Sequence, residues 1–221
     1  YRFDSLVEDA PITINVPGSG NWSPQNYSRK FEGTVTLTTA LSHSINTAAV
    51  RISEAVGREA VRTVAKDFGI GSDLDIGPAL ALGTSEATLL EMTGAYAGIL
   101  NGGRSVTPYG LVELSLQGEA APLMDKSGGM GERVISEFSA RQLVYMLNQV
   151  AETGTAKRAL LPDRKIAAKT GTTQGARDAW FIGFTADYVV GVWMGNDDNS
   201  KLLGVTGGGL PAEIWRETML K

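Results

Sequence analysis

Two short clusters hold side chains suited to acyl-transfer chemistry. Lys169-Thr170-Gly171-Thr172 puts an ammonium group, two hydroxyls and a glycine at the end of Lys165–Thr172, a segment whose pattern predicts a strand. Ser44-Ile45-Asn46 falls where helical periodicity breaks, between a run starting at Thr34 and a second run, Thr47–Val56, that Asn46 is placed to cap. Neither cluster is specific alone, because a Lys-Thr-Gly tripeptide arises by chance and a strand-end glycine often only makes a bend. Together they offer hydroxyl, amide and ammonium groups that could assist acyl transfer to a serine if the fold brings the two clusters to one place.

Other chemistries fare worse. The chain has no cysteine and one histidine, which excludes disulfides, thiolate nucleophiles and Cys- or His-rich metal sites and is compatible with an oxidising compartment. His43 lies between Ser42 and Ser44, but adjacent helical residues face different directions, and there is no Gly-x-Ser-x-Gly elbow. Asp197-Asp198-Asn199 lacks the spacing and the glutamate of a calcium loop and reads as a polar turn. Gly207-Gly208-Gly209 is followed by no Lys-Ser/Thr, so it is a hinge into the last helix rather than a phosphate loop. Gly154-Thr155-Ala156, after a long helix pattern, reads as a helix stop.

The elements that must position these clusters follow from periodicity. Residues 1–33 are turn-rich, with one strand candidate at Pro11–Val16. Helices are predicted over Arg58–Phe68, with Val61, Val64, Ala65 and Phe68 inward, and over Glu86–Leu100, capped by Ser85, with Leu89, Met92, Tyr96, Ile99 and Leu100 inward. Tyr109–Leu116 reads as a strand and Gly118–Gly131 as a loop. Ser136 caps a helix over Glu137–Glu152 with Phe138, Leu143, Tyr145, Met146 and Val150 inward. Lys165–Thr172, Asp178–Thr185 and Tyr188–Met194 are strands spaced for consecutive antiparallel hairpins, with Lys169 facing a cleft. Pro211–Leu220 is a closing helix with Ile214, Trp215 and Met219 inward, and the four tryptophans are read mainly as core. Helices first, then a meander closed by a helix, is an α+β pattern.

Size and composition agree. At 221 residues with 43% apolar content, the chain can bury a core without staples. Mean hydropathy of −0.05 is that of neither a membrane protein nor a disordered tail. Net charge is −4, with no long block of one sign, so nucleic acid is not an expected partner. The apolar stretch Thr88–Leu100 is interrupted by Glu91, Thr93 and Gly94 and falls short of the roughly 20 residues of a membrane span. The first residues show no signal-peptide pattern, no internal repeat or domain boundary is expected, and the opening Tyr-Arg-Phe-Asp reads as cut from something longer.

Read with their surroundings, the clusters resemble the transpeptidase domain of penicillin-binding proteins, most closely the bifunctional class A type. The stretches that carry the resemblance are Trp22-Ser23-Pro24-Gln25-Asn26-Tyr27, Ala40 to Thr47, Lys169 to Thr173, and Arg177 to Gly183, in family order from end to end. The resemblance implies an antiparallel sheet flanked by helices and a D,D-transpeptidase that cross-links peptidoglycan stem peptides and is acylated by β-lactam antibiotics. It implies that Ser44 shuttles protons and that Asn46 donates to the substrate amide carbonyl. Lys169 would supply positive charge that lowers proton affinity nearby and attracts the substrate carboxylate. Thr170, Gly171 and Thr172 would form the substrate-binding stretch with the two hydroxyls on that carboxylate, and the Thr172 N–H would be half of an oxyanion hole. The family also places residues comparable to Gly154-Thr155-Ala156 near the cleft, a reading that stands level with the helix stop. No cofactor and no metal are implied.

One departure matters. No serine in the chain has a lysine three residues on; the nearest look-alike, Thr63-Val64-Ala65-Lys66, lies within an amphipathic helix. In the family that motif precedes the segment matching Pro11–Val16, so it is expected before Tyr1. Residues 1–221 would then be the C-terminal part of the domain, inactive alone and partnered by the missing N-terminal segment of the same protein. A glycosyltransferase domain and a membrane anchor would lie further upstream, with the domain on the outer face of the bacterial inner membrane among other cell-wall synthesis proteins. The alternative is a catalytically inactive peptide- or partner-binding module, which would not need to keep Ser44.

Overall fold

In the computed structural model, which describes residues 1–125 and 129–220, the chain opens with four short strands. They are β1 (Leu6–Asp9), β2 (Ile14–Val16), β3 (Gly20–Trp22) and β4 (Gly33–Thr36). β1 pairs antiparallel with β4, Leu6 opposite Thr36, and β2 forms a hairpin with β3. The expected strand over Pro11–Val16 thus begins only at Ile14, and Thr34–Thr36 are extended rather than helical. Strands of three or four residues carry too little alternation to be read locally.

The Thr36 hydroxyl accepts the Thr39 N–H at 3.1 Å and starts α1 (Leu37–Ser42). α2 (Asn46–Val56) follows the break, with Ile45 rather than Asn46 at its N-cap position and no side-chain cap. In α3 (Arg58–Asp67) no residue is fully buried and Val64 is exposed; Phe68, just beyond it, is the anchor. α4 (Leu89–Leu100) begins later than expected because Thr88, not Ser85, caps it. The Thr88 hydroxyl accepts the Glu91 N–H while the Glu91 carboxylate accepts the Thr88 N–H. That carboxylate is held down at about 2, first by the Thr88 backbone N–H, then by the Ser72 and Thr88 hydroxyls. The buried positions of α4 are Gly94, Ala95 and Gly98, with the larger residues expected inward only half-buried.

Four more short strands form two ladders: β5 (Arg104–Val106) pairs with β8 (Met130–Arg133), and β6 (Glu113–Leu114) with β7 (Met124–Asp125). The expected strand over Tyr109–Leu116 shrinks to β6. The expected loop over Gly118–Gly131 holds β7 and the start of β8, and its residues 126–128 lie outside the described residues. α5 (Glu137–Glu152) is capped by Ser136 as expected, but Phe138 and Tyr145 are exposed; Ala140, Leu147, Val150 and Ala151 face inward.

The expected meander is present as β9 (Ala167–Thr172), β10 (Asp178–Phe184) and β11 (Val189–Gly195), antiparallel in the order β11-β10-β9. Its alternation divides the core. Phe184 and Ala167 pack with Leu147 of α5 on one face. On the other, Phe181 and Ala168 pack with Trp215 and Ala212 of α6 (Leu210–Met219). The Trp215 indole lies 5.5 Å from the Phe181 ring and donates to the Gly183 carbonyl at 3.1 Å. Ile214, expected inward, is exposed, and of the four tryptophans only Trp215 is fully buried. Helices on both faces of an antiparallel sheet make this an α+β fold. Among the described residues no helix is long and apolar enough to cross a membrane.

Candidate active site

Lys169 lies opposite Ile182 in the ladder between β9 and β10, so its side chain shares the face that carries Ala167 and packs on α5. The C-terminal end of α1 reaches the same place. The Lys169 ammonium donates to the Ser44 hydroxyl at 2.8 Å and to the Thr170 carbonyl at 3.0 Å. Two motifs 125 residues apart therefore meet in one hydrogen bond. Partial burial pushes the Lys169 ammonium down from 10.5 to about 8.

Ser44 reaches the lysine because its backbone is left-handed, with φ of 55°. For a non-glycine residue this costs on the order of 1–3 kcal/mol and persists only where surrounding contacts impose it. Here the Ser44 N–H donates to the Leu41 carbonyl, the Ile45 N–H donates to the Ala40 carbonyl, and Ile45 is buried against Val7, Ala40 and Ala48.

Asn46 begins α2 and its amide donates to the Gln25 carbonyl at 2.8 Å. Behind it lies a buried polar cluster that the motifs did not reveal. Asp9 is 1% exposed, Asn26 7% and Thr47 0%. The Asp9 carboxylate accepts from the Thr47 hydroxyl, from Asn26 Nδ2 at 2.7 Å and from the Glu32 N–H at 2.7 Å. Asn26 Oδ1 in turn accepts the Thr47 N–H at 3.3 Å. Desolvation raises the Asp9 carboxyl, but the Thr47, Asn26 and Glu32 hydrogen bonds and the Arg51 charge outweigh it and hold the group below its ordinary value. Asn26 belongs to a stretch the sequence singles out; Asp9 has no such signal.

The far end of β9 is built by two glycines. Gly154 touches the end of α1: a Cβ there would lie 2.8 Å from the Ser42 carbonyl carbon. The next residue, Thr155, donates its N–H to the Ser42 carbonyl at 3.2 Å and shares a 2.7 Å hydroxyl hydrogen bond with Thr170. Gly154-Thr155 is therefore a bridge between α1 and β9, not simply a helix stop. Gly207 lies over Gly171, where a Cβ would come within 2.9 Å of the Gly171 nitrogen, and its N–H donates to the Thr172 hydroxyl at 3.0 Å. That occupies a Thr172 lone pair and leaves its O–H to donate elsewhere. The Thr173 N–H donates to the Asp178 carbonyl, so strand alternation turns the preceding Thr172 N–H to the open edge of β9.

The competing candidates do not converge here. His43 is exposed, with Nδ1 at 3.0 Å from both Glu32 carboxylate oxygens. Lys66 is exposed on α3. Asp198 accepts the Ser200 N–H at 3.0 Å within an exposed turn.

Residues 2–220 match the family described as the penicillin binding protein transpeptidase domain. The chain belongs to that family. Penicillin-binding protein 1A of Aquifex aeolicus is 40% identical over 206 residues, which cover 92% of this chain and 28% of that protein. Penicillin-binding protein 1B of Escherichia coli is 33% identical over 214 residues, covering 94% of this chain and 25% of the relative. Among solved structures, penicillin-binding protein 1A from Haemophilus influenzae matches with a TM-score of 0.86 at 28% identity, over 99% of this chain and 39% of that one. The penicillin-binding protein PonA1 of Mycobacterium tuberculosis, solved in complex with penicillin V, matches with a TM-score of 0.86 at 26% identity, over 99% and 63%. This transpeptidase-family chain thus spans about a quarter of the length of its curated relatives.

Proposed function

We propose that the chain is the C-terminal part of a D,D-transpeptidase domain that cross-links peptidoglycan stem peptides by acyl transfer through a serine. The observation that carries this reading is the 2.8 Å hydrogen bond from Lys169 to Ser44, which joins the Ser-x-Asn and Lys-Thr-Gly-Thr motifs. A nucleophilic serine followed by lysine three residues on, lying before Tyr1, completes the site. Its lysine takes the hydroxyl proton while the serine oxygen attacks the penultimate D-alanine carbonyl.

The residues present supply the rest. The donor peptide docks along the edge strand β9, whose outer backbone groups face away from β10. Lys169 and the Thr170 and Thr172 hydroxyls hold its terminal carboxylate, and Asn46 donates to its amide carbonyl. The Thr172 N–H and the nucleophile's own N–H receive the oxyanion. Ser44 passes the proton to the departing D-alanine amine, with Lys169 favouring its deprotonated state. The amine of a second stem peptide then attacks the acyl-enzyme. β-Lactams react at the same serine. In the class A architecture that the sequence resemblance implies, the whole protein would also carry a glycosyltransferase domain and an anchor that keep this domain outside the inner membrane, beside other cell-wall synthesis proteins.

Labelling with a fluorescent penicillin tests this. The complete protein should carry a stoichiometric adduct on an upstream Ser-x-x-Lys serine, and the isolated 221-residue chain should carry none. An adduct on Ser44 of the isolated chain would overturn the assignment of roles. No adduct on the complete protein would favour a binding module without catalysis.

A further inference from the structure

We infer that Asp9 is a positioning residue for the reaction, acting through the Asn26 loop to aim the Asn46 side chain. The inference rests on the acyl-transfer reading above. The connection runs in contacts already described: Asp9 holds Asn26 and Thr47, Asn26 follows Gln25, and the Gln25 carbonyl receives the Asn46 amide. Thr47 follows Asn46 on α2, so the carboxylate grips both the loop and the helix start that bracket the amide.

Three features set this cluster apart from ordinary packing. The carboxylate is buried and charged, whereas a core at this position could be built from apolar side chains at less desolvation cost. All its partners are donors, so it needs two acceptor oxygens; an asparagine would supply one and turn an N–H₂ toward a donor. The cluster also spans elements that no strand ladder joins directly: the end of β1, the loop after β3 and the first turn of α2. Without it, the Gln25 carbonyl is free to move, and with it the only hydrogen bond that the Asn46 side chain makes among the described residues.

The test uses the complete protein and the second-order rate of acylation by a penicillin, normalised to the fraction of molecules that label, with Tm measured alongside. Asp9→Asn should lower the rate by about 10- to 100-fold, the effect of an ångström-scale misplacement. Thr47→Val should lower it in the same direction and Thr47→Ser should restore it, a pair that keeps the test alive if Asp9→Asn fails to fold. Placing Asp9→Asn or Thr47→Val on Asn46→Ala should cause no further loss, because the two changes act through one amide. A lowered Tm with an unchanged normalised rate would overturn the inference and leave Asp9 a structural residue. So would losses that multiply in the double variants. If Asn46→Ala alone acylates normally, the role given to Asn46 fails and the inference falls with it; if Asn46→Ala is impaired while Asp9→Asn and Thr47→Val are not, only the inference fails.

Discussion

Replacing Gly154 by alanine would drive a methyl group into the end of α1. The new Cβ would lie 2.8 Å from the Ser42 carbonyl carbon and 3.0 Å from its Cα, with the carbonyl oxygen closer still. Both neighbours are backbone, so no side chain can swing aside, and α1 and the end of α5 must part by more than half an ångström. Two hydrogen bonds lie on that seam. The Thr155 N–H to Ser42 bond, at 3.2 Å, would stretch beyond range. Ser44 is two residues past Ser42, so its 2.8 Å contact with Lys169 would approach the limit of about 3.5 Å. Overpacking of this kind costs about 1–3 kcal/mol, which in a domain of this size lowers Tm by about 2–12 °C. The displaced Ser44 should also slow acylation of the complete protein by about 100-fold. Differential scanning fluorimetry and stopped-flow penicillin acylation read the two effects, with Gly110→Ala as a control because a Cβ there meets nothing within 4 Å. If Gly154→Ala matched the control in both assays, the bridge between α1 and β9 would not be what places Ser44.

Three further outcomes are expected. Lys169→Ala should weaken penicillin binding to the complete protein by about tenfold or more, since a hydrogen bond to a charged group is worth about 1.5–3 kcal/mol; an unchanged Kd by competition labelling would remove Lys169 from carboxylate recognition. Because Lys169 is held at about 8, affinity for carboxylate-bearing β-lactams should fall as pH rises through 8, whereas Lys169→Arg, always charged, should give a flatter profile. The same shift has the opposite sign for stability: between about 8 and 10.5 the unfolded chain binds more protons, so the Lys169 contribution to urea stability should rise with pH, and Lys169→Ala should abolish that part of the slope.

The elements legible before folding were those whose signal is local and long enough to repeat. The sixteen-residue α5 announced itself by period and by the Ser136 cap. Turn-rich connections marked the β9-β10-β11 meander, and its pairing follows with Lys169 opposite Ile182. The two motifs at its edge and at the α1–α2 break, with the stretches around them, carried the family. Helix periods were visible where their phase was not: Phe138, Tyr145 and Ile214 point outward because the buried stripe depends on which side meets the sheet. Thr88 displaced Ser85 as a cap because Glu91 returns its hydrogen bond, and the paired strands β1 and β4 are too short to alternate detectably. Nothing in the neighbourhood of Asp9 distinguishes it from a surface aspartate until β1 is paired and α2 is laid across it. Gly154 and Gly207 likewise look like ordinary loop glycines until Ser42 and Gly171 are brought against them. Sequence spacing records what a residue does within its own helix or strand; the approach of Ser44 to Lys169 from 125 residues away is decided by packing, which no local period encodes.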